Sequence, residues 1–429
     1  MGLAKGASFF TMELLLPQTL RNPTSSSGAP TRAGGDPSTR FLLELARALH
    51  AAGAPSYRLE EALTRCASSW GQQAEFYSTP TSLFAAFGGG EEQRTYLLRV
   101  RPGDTDLGRL SELDELMEEV AGGRVAPSEG ITRLRAVESA PARYGRASTL
   151  AAFAVVSATA AVFFGGSALD VGFSLLLGLV IGALGLAFSR VGLFESTAAF
   201  VAAALSIVAA HFVPGLSDRV TTLAGLIVLM PGLMLTVGLA EVSMTHWMSG
   251  TSRLAGSAVV FLSMAIGVAL GRKVSTLFPG FVSVDGTGAP TVLAIACSLV
   301  LASLGFVVLF RARKSDVGWI LLAGVGGFYA ARFGAAVVGP ELGSFVGALA
   351  IGMGSNAFAR FYRRPASVLQ LPGLLLLVPG SIGFQSLSSF LAQDVLQGVD
   401  AAFRMLFVGA SLVGGLLLGN ALVPPRRSL

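Results

Sequence analysis

Leu229-Met230-Pro231-Gly232 and Leu377-Val378-Pro379-Gly380 stand 148 residues apart, each inside a long apolar run. The same register pairs Gly250 with Gly398, Gly267 with Gly415, Leu270 with Leu418 and Gly271 with Gly419. Working outward, Asp170-Val171-Gly172-Phe173-Ser174-Leu175-Leu176-Leu177-Gly178 matches Asp316-Val317-Gly318-Trp319-Ile320-Leu321-Leu322-Ala323-Gly324 at a spacing of 146. Phe200-Val201-Ala202-Ala203 aligns with Phe345-Val346-Gly347-Ala348 as well. The C-terminal two thirds of the chain therefore reads as a duplication. Proline removes a backbone donor and crowds the carbonyl four residues earlier, so each copy carries a helix breaker in the same place. A duplicated apolar region with matching breakers is the sequence pattern of a secondary transporter.

The chain changes character near residue 148. Residues 1–148 hold 17 acidic and 16 basic side chains, whereas residues 149–429 hold 9 and 15 over almost twice the length. Mean hydropathy is +0.65, a value soluble proteins of this size rarely reach. The positive excess sits in the apolar part and bears on topology. No basic run interleaved with aromatics offers a nucleic-acid surface. Cys66 and Cys297 lie in different regions with no other candidate ligand nearby, so neither a disulfide framework nor a metal or cofactor site is expected, and both read as buried thiols. Residues 21–39 are rich in Ser, Pro, Gly and Thr, and Glu13 interrupts the apolar stretch from Phe9 to Leu16. Residues 1–39 are therefore read as a flexible tail rather than a signal peptide.

Residues 40–146 are expected to form a small soluble α/β domain. Phe41, Leu42, Leu45 and Leu49 share one helical face that Gly53 and Pro55 end. Leu59, Leu63 and Cys66 mark a second helix. The period then changes to strands over Glu75–Ser78, Ser82–Phe87 and Thr95–Arg101. Helical spacing returns at Leu107, Leu110, Leu113, Leu116, Met117 and Val120, and again at Ile131, Leu134 and Val137. His50, Ser56, Tyr57, Glu60 and Glu61 read as a solvated face. There is no nucleophile elbow, metal-ligand spacing or P-loop, and Gly88-Gly89-Gly90 reads as a hairpin turn. The domain therefore carries no expected catalysis.

A membrane helix needs about 20 mostly apolar residues to cross ~30 Å of hydrocarbon. Ten candidates fit, at about 148–165, 171–189, 196–214, 220–240, 253–271, 290–310, 317–337, 342–359, 367–391 and 401–422. Five fall in each copy, giving membrane repeats over 147–289 and 290–429. A five-helix unit starts on one side of the bilayer and ends on the other, so the second copy must be inverted. With both termini in the cytoplasm, the inside positions are Arg143, Arg146, Arg190, Arg253, Arg311, Arg313, Lys314, Arg360, Arg363, Arg364, Arg426 and Arg427. Outside lie Arg219, Arg272, Lys273, Arg332 and Arg404. That is 12 against 5, a positive-inside bias.

Pro231 lies 12 residues after Arg219, and Pro379 lies 12 after Ser367, so both are placed near mid-depth, approached from opposite sides. The backbone groups they free must face protein, water or a ligand. A packing kink satisfied by a neighbouring helix is the plainer alternative; the pairing of two breaks favours a binding site. A zwitterionic amino acid suits it, since half-helix N-termini attract a carboxylate and half-helix carbonyls accept from an ammonium. The expected binding region is Pro231, Gly232, Thr236, Pro379, Gly380, Gln385 and Ser386. Glu241 and His246 lie toward the cytoplasmic end, where solvation is the plainer reading; a buried Glu241 would instead be a proton carrier. Asp170 and Asp316 begin equivalent helices and read first as caps, then as further proton-coupling candidates.

Ala52-Gly53-Ala54-Pro55-Ser56-Tyr57-Arg58-Leu59-Glu60, then Pro80-Thr81, then ten helices containing Met230-Pro231-Gly232 and Ser249-Gly250-Thr251-Ser252-Arg253-Leu254, resemble the threonine/serine exporter family. The resemblance covers roughly residues 40–422. It implies proton-driven export of threonine, serine and similar small amino acids across a bacterial inner membrane. After the first Pro-Gly the family often has Asn and then Asp; this chain offers Val237 and Glu241. Expected partners are small amino acids, protons and membrane lipid, with homo-oligomerisation open and nucleic acid excluded. Two other classes compete: a membrane-anchored hydrolase using residues 40–140, and a non-transporting sensor or scaffold.

Overall fold

The computed structural model describes residues 36–101, 103–188, 193–278, 282–283, 288–378, 380–391 and 395–424. Pro379, Arg190, Arg426, Arg427 and the tail up to residue 35 lie outside the described residues.

The N-terminal part opens with α1 (Pro37–Ala51) and α2 (Ser56–Ser69). Asp36 caps α1 by accepting from the Ser38 N–H, which satisfies one of the donors a helix start leaves unpaired. Gly53 joins the two helices at φ 82°, a left-handed conformation that costs glycine nothing. An antiparallel sheet follows, with β1 (Ala74–Ser78), β2 (Ser82–Phe87) and β3 (Arg94–Arg99) in that order. Phe76 pairs with Ala85 and Leu83 with Leu98, so the alternate residues Phe76, Leu83, Ala85 and Leu98 are buried together. Tyr77, Phe84 and Leu97 occupy the other face and are exposed. The helices α3 (Leu107–Ala121) and α4 (Pro127–Ser139) complete this part, as the periodicity anticipated.

The apolar part consists of α5 (Arg146–Phe163), α6 (Ala168–Phe188), α7 (Phe194–Phe212), α8 (Asp218–Leu226), a 3-10 turn (Ile227–Leu229), α9 (Gly232–Ser243) and α10 (Trp247–Arg272). Then come α11 (Val292–Leu309), α12 (Val317–Val338), α13 (Pro340–Tyr362), α14 (Ser367–Leu375), α15 (Gly380–Leu391) and α16 (Val395–Leu422). Among the described residues, nine segments are long and apolar enough to cross a membrane, or ten if the bent pair α8 and α9 is one span. The order recurs: three long helices, a short helix, a break, another short helix, and a long closing helix.

The duplicated glycines do matching work in the two halves. A methyl group at Gly267 or Gly271 of α10 would strike the α7 carbonyls of Ser196 or Phe200. At Gly415 or Gly419 of α16 it would meet the α13 carbonyls of Phe345 or Leu349. In each half, small residues thus let the third long helix and the closing long helix approach backbone to backbone.

One core runs without interruption from Phe41 and Leu59 of the N-terminal helices through Phe306 and Phe310 to Leu229 and Phe261 of the membrane helices. Cys66 is buried in it as expected; Cys297 is exposed on α11, so only one of the two thiols is interior.

Candidate functional site

The two breaks meet. Pro231 adopts φ −79° and ψ 38°, which ends the 3-10 turn and lets α9 begin afresh at Gly232 with a bend of 55°. A methyl group at Gly232 would overlap Cγ1 of Val378, and one at Gly380 would lie 3.3 Å from the Gly232 Cα. Both breaks line a single cavity of about 550 Å³, within the size range of small-molecule sites. The first N–H groups of a helix have no intrahelical partner and carry its positive end. Gly232, Leu233 and Met234 supply those of α9, and Gly380 and Ser381 those of α15; all five line the cavity. The rest of the wall is largely apolar, with Val156 and Phe163 of α5 and Val260 of α10. Among the described lining residues the charged side chains are Glu195 of α7, Arg253 of α10 and Arg332 of α12. Gly53, Pro55, Gly103 and Thr105 of the N-terminal part also line the cavity.

The other sequence-nominated residues sit elsewhere. Thr236 is 1% exposed and its hydroxyl turns back on its own helix, donating to the Gly232 carbonyl at 3.2 Å. Gln385 is exposed. Ser386 is buried and donates to the Gly398 carbonyl at 2.7 Å, tying α15 to α16. Helical spacing placed Thr236, Gln385 and Ser386 near the breaks in sequence, but it carried no information on which face looks into the cavity. Pro379 lies outside the described residues.

Glu241 is fully buried, at the junction between the two parts of the molecule. Its Oε1 accepts the Ser56 N–H at 2.9 Å, and its Oε2 accepts from Ser249 Oγ at 2.9 Å and Arg253 Nε at 2.9 Å. The hydroxyls of Ser56 and Ser249 lie 2.6 Å apart. Ser249 and Arg253 are four residues apart and so share one face of α10, while Gly250 between them lets α9 cross closely at Gly238. Arg58, 3% exposed, reaches Gln370 of α14 at 3.1 Å. His246 Nε2 faces Glu60 Oε2 at 3.1 Å while its Nδ1 faces the Met244 carbonyl at 2.9 Å. Each ring nitrogen thus meets an oxygen, one from α2 and one from the turn before α10. Burial pushes the Glu60 carboxyl above its ordinary range, opposed by the N–H of Ser78 and by His246. The reading of Ser56, Tyr57 and Glu60 as a solvated face is therefore corrected: α2 presents these residues to the membrane helices, and of the α2 residues so read Glu61 alone is exposed. Two separate sequence motifs, around Ser56 and around Ser249, turn out to be the two halves of one contact.

A second contact lies at the turn between α11 and α12. Arg311, in the left-handed region at φ 51°, pairs with Asp104 at 3.3 Å and Asp106 at 3.6 Å. Arg313 pairs with Glu115 at 2.6 Å, Tyr144 Oη donates to the Ala312 carbonyl at 2.9 Å, and the Leu107 N–H donates to the Phe310 carbonyl at 2.9 Å.

Asp170 and Asp316 are both buried. Asp170 accepts from Ser167 N–H and Ser217 N–H at 2.7 Å each and from Ser167 Oγ at 2.9 Å, binding the start of α6 to the start of α8. Asp316 pairs with Arg364, binding the start of α12 to the segment before α14. Neither lines the cavity. Sequence reasoning did not single out Glu195, Arg58 or Gln370. Glu195 was legible as a lone carboxylate at the edge of an apolar run, but the span read as 196–214 began one residue too late to include it.

Residues 40–275 match the family described as "Putative threonine/serine exporter", and residues 295–422 match the one described as "Threonine/Serine exporter, ThrE". The chain is 24% identical to the "Probable threonine/serine exporter" of Mycobacterium tuberculosis, over 78% of this chain and 66% of that protein. It is 22% identical to the "Threonine/serine exporter" of Corynebacterium glutamicum, over 75% of this chain and 70% of the other. It is 23% identical to the "Pheromone-regulated membrane protein 10" of Candida albicans, over 89% of this chain but 35% of that protein. The chain thus spans just under two thirds of the mycobacterial relative's length and about a third of the Candida protein's. No solved structure matches it. With the N-terminal family model spanning more than half of its length, the chain belongs to the threonine/serine exporter family.

Proposed function

We propose that the protein is a secondary carrier, not an enzyme, that exports threonine, serine and similar small neutral amino acids in exchange for protons. The observation that carries this reading is the meeting of the two breaks at one cavity, which the first residues of both α9 and α15 line. An anion at two helix starts gains both hydrogen bonds and the favourable end of each helix dipole, so a substrate carboxylate fits there. The apolar walls and modest volume suit a small side chain. The exporter relatives support the substrate class by their names.

In this reading the membrane part is two inverted five-helix repeats of ten spans, in a bacterial inner membrane, with both termini in the cytoplasm. Positions assigned to the inside by charge, Arg253, Arg311 and Arg313, all lie against the N-terminal part or pair with a residue that does, which supports their sharing one side. The proposed binding region retains Pro231, Gly232 and Gly380 as cavity-lining positions, with Pro379 beside them in sequence.

The test is counterflow of labelled threonine and serine into vesicles holding the purified protein, with and without a pH gradient, and with labelled glutamate for comparison. Threonine or serine uptake that a gradient stimulates supports the reading. Correctly inserted protein that moves none of these solutes would end it.

A further inference from the structure

We propose that Glu195 is the group that receives the ammonium of the substrate, and that proton and substrate occupy it in turn. This inference rests on the carrier reading above and deepens it by naming the residue that couples the two fluxes.

Glu195 stands on the first turn of α7, is 7% exposed, and lines the same cavity as Pro231, Gly232 and Gly380. It is the one carboxylate among the described lining residues. The other buried carboxylates are occupied. Glu241 holds Arg253, Asp316 holds Arg364, and Asp170 accepts three hydrogen bonds. Glu195, by contrast, is paired with no cation among the described residues.

A carboxylate largely withdrawn from water, with no cation beside it among the described residues, is disfavoured as a bare charge, so it takes either a proton or a cation drawn from the cavity. The positive ends of α9 and α15 repel an ammonium and attract a carboxylate, which sorts the two ends of a zwitterion between the breaks and Glu195. Occupancy is exclusive. When the ammonium arrives, the carboxyl O–H bond breaks and its proton passes to cavity water; when the amino acid leaves, a proton from water re-forms that bond. Such competition at one carboxylate is sufficient for exchange. The elements packed on α7 are α6, α8, α10 and the 3-10 turn Lys273–Leu277. Their charged groups are Asp170, Asp218, Arg219, Arg253, Arg272 and Lys273, and α7 itself adds His211. Of these only Arg253 lines the cavity, and it is bound to Glu241; Arg332 enters the wall from α12.

The test uses the full chain in vesicles, with labelled threonine as the probe. Glu195→Gln keeps the size and removes the charge, and is expected to raise the KM for threonine roughly tenfold or more and to abolish stimulation by a pH gradient. Glu195→Asp is expected to keep part of both. A Glu195→Gln protein that melts like wild type yet keeps KM within about twofold and responds normally to the gradient overturns the inference. A second measurement on the wild-type chain removes dependence on how the variant folds. An apolar carbodiimide is expected to modify Glu195, and saturating threonine to slow that modification; an unchanged rate also overturns it. Wild-type vesicles that move no amino acid, in either case, reject the carrier reading itself rather than the role of Glu195.

Discussion

Glu241 shows how much a single buried carboxylate can organise. Three donors from α2 and α10 converge on its two oxygens, so its charge is matched where water does not reach. Glu241→Ala would strand Arg253 and the Ser56 N–H, and is expected to cost about 3–5 kcal/mol of stability, whereas Glu241→Gln keeps an acceptor and should cost less. Thermal melts of the purified variants check the order. His50 is a second residue with a defined signature. It is buried, donates from Nε2 to the Thr79 carbonyl at 3.1 Å, and burial holds its pKa below the ordinary histidine value. A lowered folded pKa means the unfolded chain binds the extra proton more readily. The contribution of His50 is therefore complete above about pH 6.5 and is lost as pH falls below it toward the folded value. The melting temperature is expected to drop on acidification through that window, and His50→Gln should flatten the drop. Glu60 and Glu138, both raised by burial, act with the opposite sign at lower pH. Cys66, 3% exposed with its thiol pushed up to about 12, should resist alkylation at neutral pH until the protein unfolds, while Cys297 reacts in detergent.

At the level of elements, the function resides in helices that stop short. Proline alone would kink a helix; proline followed by glycine lets the chain restart in a new direction and lets another backbone come close. The starts of α9 and α15 exploit both properties, because Gly232 and Gly380 touch and no Cβ separates them. Gly232→Ala would drive its methyl into Val378, and overpacking of this kind costs about 1–3 kcal/mol. Threonine flux is expected to fall sharply, because the two N-termini would be pushed apart. Trimming the obstacle with Val378→Ala in the same chain should recover stability and part of the flux. If the double variant is no better than Gly232→Ala alone, the contact between the breaks is not what the glycine provides. Gly267 and Gly271 of α10 and Gly415 and Gly419 of α16 follow the same logic, since each lies against a carbonyl of its neighbour.

On the scale of the whole molecule, the N-terminal part and the membrane helices share one core, and the first contributes to the wall of the cavity in the second. Two contacts hold them. One centres on Glu241; the other is the Arg311 pairing with Asp104 and Asp106. Replacing Ser56 and Ser249 by cysteine puts two thiols where hydroxyls now lie 2.6 Å apart. Mild oxidation is expected to join them, so that a chain cut at a protease site placed within residues 141–145 stays in one piece until reductant is added. Flux through the oxidised form should fall and return on reduction, as expected if the N-terminal part must yield for solute to pass. Fragments that separate without reductant would show that the junction is not closed in the membrane.

The linear chain sufficed for everything that depends on local periodicity and composition. Apolar runs long enough for a bilayer, the change from helical to alternating spacing at β1, and the repetition of Pro-Gly at a fixed interval are properties of neighbours in sequence, and they named the membrane class and the places where helices break. It did not disclose which residues face which. Ser56, Arg58 and Glu60 carry the polarity of a solvated surface, and they are withdrawn from solvent because segments 185, 312 and 186 residues later supply partners. Glu195 is one polar residue at the edge of an apolar stretch, and only packing brings it to the cavity. Burial, partner and direction arise from contacts between distant segments, so they came into being with the tertiary structure and not before it.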